Sequence, residues 1–442
     1  LAQSIDQNTR GLTGTWSAFI GSDNPPTRLK LVIDDDGNGT LSVIDQGDLP
    51  LSHWALASPS LRFEIKSPPV TYEGALQGSD RIAGICHRGN ESFRLVFVRG
   101  DLYTEPAEVV LPAGPLSTAR LRELRRMARA PAMGVGWQFA GAPAHILVDG
   151  RRAVERRVAV EPEDQWHLGS VTKSMTATLV ARLVGAGMLK WRTTIGEVLD
   201  EQLPEMLPAY RDVTVLHLLS HHGGLPRDQE GQFRASDLHA SRLAYAREAL
   251  REHPSAPMGT EMNYSNADYV VVALMLETLS GKPWERLITS EVFTPLHLHS
   301  AGFGPPGAPG QLSEPMGHSI AASGLRSVQF DIPAVMAPAG RVHMNLKDLL
   351  VYLEAHRDMP ESFLTKESWY ALHKPPFGGD YALGWFVATN GALSHGGTNG
   401  KWKSEVLVDA EAGLACAAVA NVLNNNTQSA LLQLLASARL SA

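Results

Sequence analysis

The chain has only two cysteines in 442 residues. Cys86 and Cys416 stand far apart and are expected in different domains, so two buried thiols are expected rather than a disulfide framework. So sparse a pair leaves the redox compartment open. No apolar run reaches the roughly 18 residues that cross a bilayer, so no membrane span is expected. Positive charge is not in excess: 39 Lys and Arg stand against 46 Asp and Glu, a formal net charge of −7. That balance argues against a polyanion-binding surface and against nucleic acid as a partner. There is no H-E-x-x-H pattern. His217, His221 and His222 have helical spacing but no acidic neighbour in sequence, so helix packing or capping is expected of them, and no metal or cofactor is expected.

What is present suits a soluble globular protein: 44% apolar and 19% charged residues. The length suggests two domains. We place them at 1–112 and 113–442. Within the first, strand-like runs at 16–20, 28–33, 40–44, 61–65, 71–75, 81–86 and 93–98 are punctuated by Gly, Pro, Asn or Asp. Such spacing predicts a small antiparallel barrel or sandwich. Leu29, Leu31 and Ile33 alternate with Arg28, Lys30 and Val32, which makes one face more apolar. Asp34-Asp35-Asp36-Gly37-Asn38-Gly39, with Asp45 beyond, imitates a calcium loop. Strands rather than helices flank it, so a hairpin turn is expected; calcium-dependent binding is the rival. Pro106, Pro112 and Pro115 mark a linker.

The second domain is mixed. Leu121, Leu124 and Met127 recur at helical spacing, strands are expected at 134–139 and 144–148, and Met175, Leu179 and Leu183 form a helix closed by Gly185-Ala186-Gly187. A helix at 270–279 stops at Gly281 and Pro283, and Asn345 to Asp348 form a variant capping box. A hairpin at 405–408 and 414–422 and a helix at 429–440 end the chain.

Ser170-Val171-Thr172-Lys173 opens the helix that carries Met175. A serine and a lysine three residues apart share a helical face, so a neutral amine could take the hydroxyl proton. Burial or neighbouring cations must first lower the lysine pKa. Tyr264-Ser265-Asn266 follows before an apolar helix, and His395-Gly396-Gly397 before a strand-like stretch.

S-x-x-K, Tyr-x-Asn and His-x-Gly in that order resemble the serine β-lactamase and D-Ala-D-Ala peptidase superfamily. The likeness is to the branch of class C β-lactamases, DD-carboxypeptidases, D-aminopeptidases and β-lactamase-like esterases. Residues 219–226, Pro338-Ala339-Gly340 and Tyr381-Ala382-Leu383-Gly384-Trp385 also look like family landmarks. The resemblance covers residues 117–442. It implies an α+β fold in which an antiparallel sheet is flanked by helices beside an all-helical lobe. It implies Ser170 as nucleophile, with Lys173 and Tyr264 as general base and acid. Asn266, Gly396, Gly397 and Thr398 would bind substrate, and the N–H groups of Ser170 and Thr398 would hold the oxyanion.

Tyr264 could act as a phenolate or as a neutral relay. His395, where many relatives carry lysine, is largely neutral at pH 7 and could hydrogen-bond Tyr264 or substrate. It favours an esterase or peptidase over a β-lactamase. Lys401 and Lys403 are read as facing water, with attraction of an acidic substrate group as the other reading. The function expected is therefore hydrolysis of a small ester, amide or peptide through an acyl-enzyme. The alternatives are a β-lactamase or penicillin-binding DD-peptidase, and an inactive binding or sensing protein of the same fold. An exported, periplasmic or secreted protein is expected from the resemblance. The start at Leu1 fits removal of a leader or a trimmed chain. Substrate identity rests on the loops 226–238 and 303–325; neither oligomeric state nor the role of the first domain is legible.

Overall fold

The computed structural model describes residues 11–20, 27–34, 36–43, 47–49, 51–66, 69–88, 91–100, 112–229, 237–308, 310–321 and 324–441. Leu1, Asp35, Asp45, Pro106, and parts of the loops 226–238 and 303–325 lie outside them. Two compact units divide the chain, one drawn from 1–108 with 320–324, the other from 109–319 and 325–442. Cys86 belongs to the first and Cys416 to the second; both are free and buried. No helix among the described residues is long and apolar enough to cross a membrane.

The first unit is one antiparallel sheet. Across it the strands run Gly47–Leu49, Gly39–Val43, Thr27–Ile33, Gly14–Ile20, Glu91–Arg99, Arg81–Arg88, Pro69–Gln77, Ser60–Lys66 and Leu51–Ala57. The two edge strands are consecutive in the chain with one residue between them, so the sheet must coil round until its edges approach, which is the up-and-down barrel form. Leu29, Leu31 and Ile33 face the core beside Trp16, Phe63, Tyr72 and Phe97, as their alternation predicts. The strands Gly47–Leu49 and Leu51–Ala57 escape the sequence pattern. Asp48 and Pro50 read as turn punctuation, and no residue of Leu51–Ala57 is fully buried, so there is no apolar alternation to see. At the calcium-loop look-alike, Asp34 Oδ1 accepts from Asn38 N at 2.8 Å and Gly37 takes φ +81°, closing a hairpin turn.

The second unit is built on a six-stranded antiparallel sheet ordered His145–Gly150, Ala132–Phe139, Leu414–Ala420, Lys403–Asp409, Leu393–Thr398 and Phe386–Val387. The strand Leu414–Ala420 is buried on both faces. Cys416 and Ala418 meet the terminal helices Thr118–Met127 and Asn425–Arg439 in one core, while Ala417 and Val419 join another with Leu346 and Leu349. That two-sided burial is why the hairpin reads as a continuous apolar run rather than an alternation.

The helix Thr172–Gly185 is central rather than amphipathic: nearly every residue from Thr172 to Leu183 is buried, Met175, Leu179 and Leu183 included. A 3₁₀ turn, Gly169–Val171, leads into it. The helix Asn266–Ser280 lies against it and is capped by Ser265, whose hydroxyl accepts from Asp268 N; Gly281, at φ +66°, ends it. The expected capping box at Asn345 is half made. Asn345 accepts from Asp348 N at 2.8 Å, but the Asp348 carboxylate turns to Ser300 instead of back to the cap.

Candidate active site

Three backbone devices bring the site together. The 3₁₀ turn delivers Ser170 at the start of the central helix, and Lys173 follows one turn deeper. The stretch before the helix Asn266–Ser280 supplies Tyr264 and Asn266. The strand Leu393–Thr398 supplies His395, Gly396, Gly397 and Thr398. Ser170, Tyr264 and Asn266 are partly exposed and Thr398 is exposed, whereas Lys173 is 0% exposed.

Lys173 Nζ lies 3.2 Å from Ser170 Oγ, 2.6 Å from Asn266 Oδ1 and 2.8 Å from the Ala339 carbonyl oxygen. Ala339 belongs to the Pro338-Ala339-Gly340 landmark. Its contribution is a backbone oxygen, which no side-chain pattern announces. Burial lowers the Lys173 pKa to about 7, against the opposing pull of Asp228 and Asp268. As a free amine Lys173 has two N–H groups and one lone pair. Asn266 Oδ1 and the Ala339 carbonyl accept the two hydrogens, which leaves the lone pair for Ser170 Oγ. Gly384, at φ +77°, lets the Tyr381–Trp385 landmark close on the Lys173 backbone, where a Cβ would fall 2.9 Å from its carbonyl.

The Tyr264 hydroxyl lies close to Ser170, and its ring lies 4.8 Å from Lys173 Nζ. Burial pushes the phenol pKa up, with Ser170 only partly opposing it. Burial thus favours the neutral phenol over the phenolate. Behind it sits His221, at φ +62°, with Nδ1 2.8 Å from Asp268 Oδ2 and its ring 4.4 Å from the Tyr264 ring. His217 bonds Thr214 and His222 bonds the Ser220 carbonyl, so the three histidines point to different partners. Among the described residues no cluster of His, Cys, Asp or Glu could hold a metal.

His395 does not bond Tyr264; their rings stand 6.4 Å apart. Its Nδ1 meets the Gly396 carbonyl at 2.7 Å and its Nε2 meets the Tyr381 hydroxyl at 3.0 Å. A carbonyl can only accept, so Nδ1 carries the proton and Nε2 accepts from Tyr381. Burial first, then the charge of Lys173, holds the His395 pKa at about 3. Both ring nitrogens are spent, and no charge is offered to a substrate.

Gly397 and Gly169 lie against each other's strand and turn. A Cβ at Gly397 would fall 1.9 Å from the Leu168 carbonyl oxygen and 2.9 Å from Ser170 N, and one at Gly169 would fall 2.2 Å from Thr398 N. The turn that carries Ser170 and the strand that carries Thr398 thus approach this closely only because both positions lack side chains. Lys401 and Lys403 do not face water as expected. Lys403 pairs with Glu405 at 2.8 Å, and Lys401 sits over the Phe330 ring at 5.6 Å, where burial lowers its pKa. Their turn is packed inward by Trp402, which is 1% exposed.

A family model described as Beta-lactamase matches residues 128–438. Penicillin-binding protein 4 of Amycolatopsis lactamdurans is 28% identical over 229 residues, 50% of this chain and 58% of its own. The chain spans little more than half the length of the curated relatives it matches. Two solved structures share the fold. One is EstCE1, a hydrolase with promiscuous acyltransferase activity (TM-score 0.62, 18% identity, 73% of this chain and 98% of that one). The other is the D-amino acid amidase of Ochrobactrum anthropi SV3 complexed with D-phenylalanine (TM-score 0.60, 19% identity, 73% and 99%).

Proposed function

Because the chain belongs to the beta-lactamase family, we propose that it is a serine hydrolase that cleaves a small ester, amide or peptide bond through an acyl-enzyme on Ser170. One observation carries this reading: Ser170 Oγ stands 3.2 Å from the amine of a buried Lys173 whose pKa is lowered to about 7. At neutral pH a large fraction of that amine is an uncharged base.

Lys173 takes the Ser170 proton as Oγ attacks the carbonyl carbon. The oxyanion is held by the N–H groups of Ser170 and Thr398. As the intermediate collapses, the neutral Tyr264 hydroxyl hands a proton to the leaving oxygen or nitrogen, and the proton held by Lys173 replaces it. Water then attacks the acyl carbon, losing its proton along the same route, and Ser170 leaves with one. Asn266 holds the Lys173 amine in line. The acyl chain lies along the backbone edge of the strand at Gly396 and Gly397, whose missing side chains make room for Glu405 and the Leu168 carbonyl.

His395 supports an ester, amide or peptide over a β-lactam. Its neutral, fully bonded ring offers a carboxylate nothing to pair with. The test is a panel of p-nitrophenyl esters, D-aminoacyl anilides and nitrocefin run against wild type and Ser170→Ala. Turnover of an ester or anilide that vanishes in Ser170→Ala supports the reading. Activity that survives the substitution, or no turnover of any member, removes it.

A further inference from the structure

The carboxylate of Asp331 ties together three chain segments that carry the reacting groups. Its Oδ1 lies 3.0 Å from His167 Nε2 and accepts from Asn399 Nδ2 at 3.1 Å and from Ile332 N at 2.8 Å. Its Oδ2 accepts from Arg341 Nε at 2.9 Å. The side chain is 4% exposed. His167 lies three residues before Ser170, Asn399 follows Thr398, and Arg341 lies two residues after Ala339.

We propose that Asp331 is the positioning residue of the oxyanion hole, fixing the Ser170 and Thr398 N–H groups relative to one another; the inference rests on the acyl-enzyme reading of the site. On the Ser170 side the link is a tautomer. Gly169 N donates to His167 Nδ1 at 3.1 Å, so Nδ1 carries no hydrogen and the ring proton sits on Nε2, which lies 3.0 Å from Asp331 Oδ1 but off the line of a hydrogen bond. The carboxylate charge beside Nε2 favours the proton there, which keeps Nδ1 free to hold Gly169 in its left-handed turn at φ +51°, and Gly169 sets the direction of Ser170 N. Trp402 stacks on the same ring at 5.5 Å. On the Thr398 side, Asn399 donates to Asp331 while its own Oδ1 accepts from Lys401 N at 3.1 Å and Trp402 N at 3.2 Å. The turn that leaves Thr398 is thus anchored to the same carboxylate. An amide at 331 cannot replace it. One of its ends is a donor, and it would face either the Arg341 N–H or the N–H groups of His167, Asn399 and Ile332.

The experiment compares a p-nitrophenyl ester with its thiono counterpart, in which sulfur replaces the carbonyl oxygen. Sulfur accepts hydrogen bonds poorly, so an ordered oxyanion hole favours the oxygen ester. The kcat/KM ratio of the two is measured for wild type, Asp331→Asn and Asn399→Ala. Because both substrates report on the same sample, the ratio is blind to the fraction of enzyme folded, and the second variant serves if the first does not fold. The expected result is an oxygen-ester loss of about 10²-fold in Asp331→Asn, the scale of one lost oxyanion donor. The thiono ester should lose about tenfold less, so that the ratio collapses, and Asn399→Ala should move it in the same direction. Equal losses for both esters, no loss for either, or a wild-type ratio near unity would overturn the inference. A wild type that turns over neither ester instead removes the hydrolase reading itself.

Discussion

Asp228 Oδ1 accepts a hydrogen bond from Asn266 Nδ2 at 2.8 Å, and in doing so it decides which end of the Asn266 amide faces Lys173. With the amide nitrogen held by the carboxylate, the amide oxygen must turn to Nζ. Asp228 also acts on Lys173 through space. An anion favours the charged ammonium, so Asp228 pulls the Lys173 pKa up against burial. Removing that anion in Asp228→Ala lets the pKa fall further, and the free base persists to lower pH. The acidic limb of kcat/KM, expected near pH 7 in wild type, should therefore move to lower pH. A pH–rate profile of both proteins on one ester checks this; a limb that stays put or moves up sinks the assignment.

Burial favours the neutral phenol of Tyr264 beside Ser170, so its contribution should depend on what is leaving. A nitrophenolate departs without a proton, whereas an aniline or amide nitrogen needs one. Tyr264→Phe should slow anilide cleavage by about 10²- to 10³-fold, the range of general acid catalysis, and p-nitrophenyl ester cleavage by much less. Steady-state rates on a matched ester and anilide decide it. Equal losses would mean that Tyr264 serves the attack rather than the departure.

His395 has a pKa of about 3, so it has no part in a titration near neutrality. His395→Gln keeps a neutral group and should leave the acidic limb where it is. His395→Lys places an ammonium where burial is 98% complete and where the Tyr381 hydroxyl has been donating. The buried charge should cost several kcal/mol of stability without creating nitrocefin hydrolysis. Chemical denaturation and a nitrocefin assay check the pair of outcomes; a stable His395→Lys protein that hydrolyses nitrocefin would contradict them.

Two glycines should respond in opposite ways to alanine. At Gly397 the new Cβ would lie 1.9 Å from the Leu168 carbonyl oxygen, so the strand must move off the Ser170 turn and kcat should fall by about 10²-fold. At Gly185, on the last turn of the central helix, a Cβ meets nothing within 4 Å. Gly185→Ala should leave kcat unchanged and raise stability by about 0.5–1 kcal/mol. Thermal melts and ester turnover on the two variants separate the effects.

Much of this site was legible because its side chains sit in short motifs at the starts of elements. Ser170 and Lys173 share a helical face, and Met175, Leu179 and Leu183 show that the helix is packed. What could not be read is what acts through the backbone or from isolated loop positions. The Ala339 carbonyl that orients the amine has no residue signature. Asp228, His167 and Asp331 stand in no periodic pattern, and their partners lie far away in sequence. The bonding of His395 departs from the sequence expectation for the same reason. Its partner Tyr381 was visible only as a landmark, and only the geometry shows both ring nitrogens engaged. In the first unit, seven strands followed from short strand-like runs set off by turn residues, whereas Leu51–Ala57 buries no face that would have announced it.

The central claim is that Lys173, uncharged near neutral pH, activates Ser170. The most direct measurement is the rate at which a fluorophosphonate labels the protein as a function of pH, in wild type, Lys173→Ala and Ser170→Ala. The account predicts labelling on Ser170 that rises through pH of about 7, falls by about 10²- to 10⁴-fold in Lys173→Ala, and is absent from Ser170→Ala. A wild-type rate that climbs only near the ordinary lysine pKa, or that is untouched by Lys173→Ala, would contradict it.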